Sequence, residues 1–205
     1  MQNRTVDQFL TELSSGSPTP GGGGASAVCG AIAAALGSMV GNLTSGKKKY
    51  AEYQEEIEVA IAKCGSLMKE FEDLGRKDEE VFEPLAKAYS IPKDQEGRDE
   101  ILEAVLKDAS TAPYDVVEKA YETALVLARL AVIGSRLSIS DVGVAATACE
   151  TAAKGAAMNV YINTKSMKDR AYAEELNKKT DDLVEQTSGI CGKVYSQVKD
   201  ILIGG

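Results

Sequence analysis

Residues 25–44 read ASAVCGAIAAALGSMVGNLT, an uncharged run in which Gly30, Ala34, Gly37 and Gly41 fall at i, i+4, i+7 and i+11. At helical periodicity those positions share one face, which is left almost free of side chains. Glycine in a helix interior costs roughly 1 kcal/mol relative to alanine, so repeated glycines require an offsetting close contact with another helix or a ligand. The spacing predicts a central helix approached by its neighbours at backbone distance.

On the N-terminal side, Ser17-Pro18-Thr19-Pro20-Gly21-Gly22-Gly23-Gly24 holds two prolines and four glycines. Prolines remove donors and glycines admit backbone conformations closed to other residues, so this segment is expected to be a loop that opens the helix. Thr5-Val6-Asp7-Gln8 has the form of a capping box and predicts a short helix over 6–14. On the C-terminal side, Tyr50, Tyr53, Ile57, Ile61, Cys64, Leu67, Met68 and Phe71 follow three-four spacing and predict an amphipathic helix over 48–74, which Gly75 can end. Helices are expected over 78–89, kinked by Pro84, and over 98–109. Pro113 suits a first helical position, and the stripe from Val116 through Ala131 carries that helix to 135. A second alanine-rich helix is predicted over 142–162, and a last one from the cap at Ser166-Met167-Lys168-Asp169 to 202. With no convincing period-two segment, the expectation is an all-α, single-domain bundle over residues 1–205, of about seven helices with the two small-residue-rich ones at its centre.

The chain has 205 residues and no histidine. That excludes a Ser-His-Asp triad, a Cys-His dyad and any His-ligated zinc or di-iron site, and leaves proton transfer to carboxylate, Lys, Tyr or Cys. Cys29, Cys64, Cys149 and Cys191 are dozens of residues apart and read as reduced, mostly buried thiols. A net charge of -8 argues against nucleic acid as a partner. Residues 21–46 have the length of a membrane span, but the run is crowded with Gly, Ala and Ser and follows a segment with Asp7 and Glu12. A signal peptide needs a basic n-region, so a soluble cytoplasmic protein without a membrane segment is expected.

Gly41-Asn42-Leu43-Thr44-Ser45-Gly46-Lys47 matches seven places of a phosphate-binding loop, but Lys48 stands where Ser or Thr binds the metal, and a helix precedes it where that motif needs a strand. Lys47, Lys48 and Lys49 form the densest basic run. They either offset the negative end of the preceding helix or, beside a glycine-rich helix start, hold an anion. Asp78, among Lys77, Glu79 and Glu80, reads by itself as a solvated face; Ser138, Ser140 and Asp141 read as helix-start chemistry. Asn159 and Asn163 lie one turn apart on one face, and a buried pair needs internal partners or a ligand.

As an ordered set, these segments resemble the formiminotransferase-cyclodeaminase family: its cyclodeaminase domain and the similar stand-alone methenyltetrahydrofolate cyclohydrolases. The resemblance covers nearly the whole chain. It is carried by Phe9-Leu10, Pro18-Thr19-Pro20-Gly21-Gly22-Gly23, Gly37-Ser38-Met39-Val40-Gly41-Asn42-Leu43-Thr44, Gly46-Lys47-Lys48-Lys49-Tyr50, Asp78-Glu79-Glu80-Val81-Phe82, Ile91-Pro92-Lys93, Ser140-Asp141-Val142-Gly143-Val144-Ala145-Ala146 and Asn159-Val160-Tyr161-Ile162-Asn163. Gly24 and Ser135 depart from the pattern.

The resemblance implies a helical homodimer with a folate site near the subunit interface, which would account for the glycine face. It implies either cyclisation of 5-formiminotetrahydrofolate to 5,10-methenyltetrahydrofolate with loss of ammonia, or hydrolysis of the methenyl compound to 10-formyltetrahydrofolate. Asp78 matches the family's acid/base aspartate. The expected substrate-binding set is Pro20, Gly21, Gly22, Gly23, Asn42, Lys47, Lys48, Lys49, Asp141, Asn159 and Asn163, with the lysines meeting the carboxylates of a glutamate or polyglutamate tail. No metal or cofactor besides the tetrahydrofolate substrate is expected. The alternative is a non-catalytic helical module that binds folate or a partner through the small-residue face.

Overall fold

A computed structural model describes residues 4–204. The elements are α1 (Val6–Leu13), α2 (Gly22–Thr44), a 3-10 turn (Lys48–Tyr53), α3 (Gln54–Ser90), α4 (Arg98–Ala109), α5 (Thr111–Ile133), a second 3-10 turn (Arg136–Ser138), α6 (Ile139–Lys165) and α7 (Arg170–Ile203). Among the described residues there is no strand, and the all-α expectation holds. Thr5 caps α1 as its sequence requires: Gln8 N donates to Thr5 Oγ1 at 3.2 Å and Thr5 N donates to Gln8 Oε1 at 2.8 Å.

Helix α2 lies at the centre, packed against α3, α5 and α6, and its glycines are the points of closest approach. A Cβ on Gly37 would stand 2.8 Å from Cys64 Sγ of α3, and one on Gly41 2.5 Å from Ile61 Cγ1. Gly30 faces the ring of the fully buried Phe71. The glycine face is therefore filled inside the chain by α3 and α5, not by a second subunit as the resemblance suggested. α2 is also the one helix among the described residues long and apolar enough to cross a membrane, yet 56% of its most apolar window is buried in the protein.

Antiparallel to α2 runs α6, whose Ala145, Ala146, Cys149, Ala152, Ala153, Ala156 and Ala157 are almost completely buried. Small side chains on both helices let the backbones meet: Gly155 of α6 faces Ser26 of α2 with no room for a Cβ. Beside this core a second cluster, Leu106, Met167 and Ala173 with Leu85 and Leu102, joins α4 to the ends of α3 and α7.

The elements differ from the sequence reading at several points, among them the start of α3, which is Gln54 and follows the 3-10 turn. α2 begins at Gly22, so three of the four loop glycines form its first turn, in helical conformation. Gly75 does not end a helix: α3 runs on to Ser90, because Gly75 is buried where α3 touches Ala27 of α2. Pro84 is accommodated inside α3, leaving the Glu80 carbonyl without its usual helical donor. The cysteine reading holds, with Cys64, Cys149 and Cys191 buried, Cys29 partly so, and all four thiols free.

Candidate active site

Pro18-Thr19-Pro20-Gly21 leads into the N-terminus of α2, and Asp78 reaches it from the middle of α3. The fit is set by Gly23, where any Cβ would collide with the Asp78 carboxyl. Gly22 similarly lies against the Asn159 amide of α6, 3.5 Å from where its own Cβ would be. A helix start without side chains is thus enclosed between a carboxyl and an amide. The glycines are there for close approach, since neither adopts a positive φ.

A cleft of about 400 Å³ opens at this junction. Its polar lining is Thr19, Gly21, Gly22, Gly23, Asp78, Asn159 and Asn163, and its apolar lining is Val81, Phe82, Leu85 and Tyr89 of α3 with Ile162 of α6. Asn159 Nδ2 donates to Gly155 O at 3.0 Å and Asn163 Nδ2 donates to Ala109 O at 3.1 Å, which fixes both amides along the rim. Asp78 is half-buried. Removal from water pushes its pKa above the ordinary carboxylate range; the Gly24 amide acts against that shift and the neighbouring Glu79 adds to it. A larger but shallow groove of about 930 Å³ along α7 has only Lys193 and Asp200 as ionisable lining groups, and no carboxyl set against a helix start.

Asp78, Gly21, Gly22, Gly23, Asn159 and Asn163 are therefore brought together from the expected set. Pro20 is not at the cleft surface: it is buried beneath the loop, with its Cβ 3.5 Å from where a Gly24 Cβ would stand, while its neighbours Pro18 and Thr19 line the space. Asn42, Lys47, Lys48, Lys49 and Asp141 lie at the other end of the molecule. α2 is a rod of 23 residues, about 34 Å at 1.5 Å per residue, and the lysines follow its C-terminus while the cleft is at its start. There Lys47 Nζ donates to Ser135 Oγ at 3.1 Å, Ser135 N donates to Thr44 Oγ1 at 2.8 Å, and Arg136 N donates to Tyr50 Oη at 3.0 Å. That last bond is the main reason the Tyr50 phenol is more acidic than usual. Asn42 Nδ2 donates to Ser38 O at 2.9 Å, and Asp141 occupies the first turn of α6. Within one chain these residues do not share a site with Asp78.

The sequence reading missed the apolar wall, although its signal was present. Val81, Phe82, Leu85 and Tyr89 follow Asp78 at i+3, i+4, i+7 and i+11, one helical face carrying the carboxyl at its head.

The chain is similar to several known proteins. A methenyltetrahydrofolate cyclohydrolase of Methylorubrum extorquens is 37% identical over 201 residues, covering 96% of this chain and 97% of that protein. The formimidoyltransferase-cyclodeaminase of Sus scrofa is 31% identical over 188 residues; the match covers 90% of this chain but only 35% of that longer protein. The crystal structure of a formiminotetrahydrofolate cyclodeaminase from Thermotoga maritima superposes with a TM-score of 0.90 at 31% identity, over 98% of both chains. The formiminotransferase-cyclodeaminase family model matches residues 5–182, and the chain belongs to that family.

Proposed function

We propose that the protein is a folate one-carbon enzyme, acting as a methenyltetrahydrofolate cyclohydrolase, a formiminotetrahydrofolate cyclodeaminase or both. The observation that carries the reading is the Asp78 carboxyl, half-buried over Gly23 in a cleft lined by apolar side chains of α3 and by the Asn159 and Asn163 amides. Flat heteroaromatic rings suit such a wall, and their hydrogen-bonding edges suit Asn159 and Asn163.

In the hydrolytic direction, the Asp78 carboxylate takes a proton from the water that bonds to the methenyl carbon. It returns that proton to N5 as the carbon–N5 bond breaks, and the hydroxyl proton of the tetrahedral intermediate leaves to solvent. In the deaminating direction, N10 bonds to the carbon of the protonated formimino group, the N10 proton passes through the same carboxyl to the departing nitrogen, and the carbon–nitrogen bond breaks to release ammonia. Neither route changes an oxidation state, so the reading assigns no cofactor beyond the folate substrate.

A homodimer belongs to the same proposal. α2 carries no charged residue, and its outward side chains Ile32, Met39 and Leu43 are 38% to 48% exposed, as are Val144, Met158 and Ile162 of α6 to a greater degree. A two-fold copy docked here, about an axis crossing the middle of α2, runs its α2 antiparallel. Its lysines at 47–49 then meet the end that carries Asp78, Glu80 and Glu83, near enough to the cleft mouth for the tail carboxylates of the substrate. The four free thiols suit a reducing cytoplasm.

The test is to mix purified protein with 5,10-methenyltetrahydrofolate and, separately, with 5-formiminotetrahydrofolate, following the methenyl absorbance against the uncatalysed background. Loss in the first establishes the cyclohydrolase and gain in the second the cyclodeaminase. No rate above background with either, but measurable folate binding, establishes the non-catalytic module instead.

A further inference from the structure

Asp78 is the one charged side chain among the described residues that line the cleft. Among the described residues of this chain, no cation compensates it. On its own helix, Glu79 accepts from Arg4 at 2.7 Å, Arg76 is engaged by Asp73, and Lys77 stands 3.5 Å from Asp115. From α2 it faces the Gly24 amide, and from α6 the rim is formed by the neutral Asn159. A carboxylate removed from water without a counter-charge is costly, and a ligand that brings the counter-charge removes that cost.

We propose that the cleft selects one-carbon units in their cationic form, with the Asp78 carboxylate as the counter-ion. This rests on the folate reading above and adds a charge criterion to it. The methenyl bridge is an amidinium whose positive charge is shared by N5, the bridging carbon and N10. The formimino group is an amidine, protonated near neutral pH. The 10-formyl product is neutral. The site therefore holds both substrates by charge and releases the formyl product when the charge is gone, while a neutral 5-formyl compound of the same shape is held less well.

Proton linkage provides the test. A cationic ligand favours ionised Asp78, so its binding releases a proton and tightens as pH rises through the titration of Asp78; a neutral ligand favours the protonated form and weakens over the same range. Binding of 5-formyltetrahydrofolate is measured at equilibrium, and binding of 5,10-methenyltetrahydrofolate by stopped flow before turnover, both on the wild-type protein in its native oligomeric state. The expected result is pH slopes of opposite sign. In Asp78→Asn both slopes flatten, and the preference for the cation falls at least about tenfold, equivalent to about 1.4 kcal/mol. Parallel slopes in the wild type, as would follow if the partner subunit's lysines already neutralised Asp78, overturn the counter-ion and leave the folate reading standing. Failure of both ligands to bind overturns the folate reading itself.

Discussion

Gly23→Ala separates the position of the Asp78 carboxyl from the stability of the fold. Gly23 has helical φ and lies in the first turn of α2, so alanine there removes backbone freedom from the unfolded chain and gains up to about 1 kcal/mol in helix propensity. Its new methyl, however, occupies the place of the Asp78 carboxyl. The cheapest relief is rotation of that short side chain into the open cleft, at a cost of about 0.5–1.5 kcal/mol if it leaves its rotamer well. The two terms nearly cancel, so thermal unfolding should move by no more than about 1 kcal/mol. Catalysis has no such compensation: displacing a reacting group by about 1 Å costs on the order of a hundredfold in rate. The assay is kcat/KM on the methenyl or formimino substrate beside a melting curve. Gly30→Ala is the control, because its methyl meets the fully buried Phe71 ring, which has nowhere to turn. That variant should lose about 1–3 kcal/mol of stability with the chemistry intact in the folded fraction. Wild-type kcat/KM in a folded Gly23→Ala protein would refute the placement of the Asp78 carboxyl in the reaction.

Asp78→Asn should reduce turnover by about 10²–10⁴-fold, the usual contribution of a positioned acid or base. Its effect on stability carries a sign. The folded-state pKa of Asp78 is raised, so the folded protein binds the proton more tightly than the unfolded chain, and stability falls as pH climbs from the unfolded value, about 3.9, through the folded one. The Asn variant lacks that loss, so its melting temperature should gain on the wild type as pH rises through this window and hold a constant difference above it; a gap that widens toward acid would contradict the burial argument. Tyr89 is 48% exposed at the cleft wall, so Tyr89→Ala should raise KM several-fold while stability stays within about 0.5 kcal/mol; an unchanged KM would remove the mouth of the cleft from the binding site. Met158→Glu, on the outward face of α6 at 60% exposure, should convert a dimer to monomer in sedimentation without unfolding it, and an unaltered sedimentation coefficient for a wild-type dimer would move the interface elsewhere.

Helices were legible in this sequence because their signals are local. The Thr5 capping box, the cap segment 166–169, of which Asp169 accepts from Tyr172 N at 3.1 Å while Ser166 ends α6, and the three-four stripes all act within a few residues. Gly75 misled because a glycine that ends a helix and one that admits a neighbour look alike until the neighbour is known; here it is Ala27. The same ambiguity applies to the α2 glycines, whose contacts are internal. Asp78, Gly23 and Asn159 could be nominated singly, but their meeting depends on α3 and α6 both running antiparallel to α2, which is a matter of topology. The lysines at 47–49 were set beside a glycine-rich helix start when they follow that helix's end, a full rod-length away. In that place the simpler reading, cations at the negative pole of a helix, accounts for them within one chain.

The start of α2 pulls Asp78 in two directions, and the balance suits the acid/base role proposed for this group in a histidine-free protein. A helix N-terminus favours a carboxylate, typically by about 0.3–1 kcal/mol and up to about 2 when partly buried, and here it acts through the Gly24 amide. Burial against glycine backbone and the apolar wall of α3 opposes it and is the larger effect, so the carboxyl is held nearer to neutrality than a surface aspartate. A proton shuttle needs both of its states within reach, since it accepts in one step and donates in the next. A surface carboxylate would accept poorly, and a fully buried acid would not ionise. The missing side chains of Gly22 and Gly23 set that compromise: they let Asp78 approach one amide closely enough to stay ionisable, while the rest of its surroundings are dry enough to keep the proton nearby.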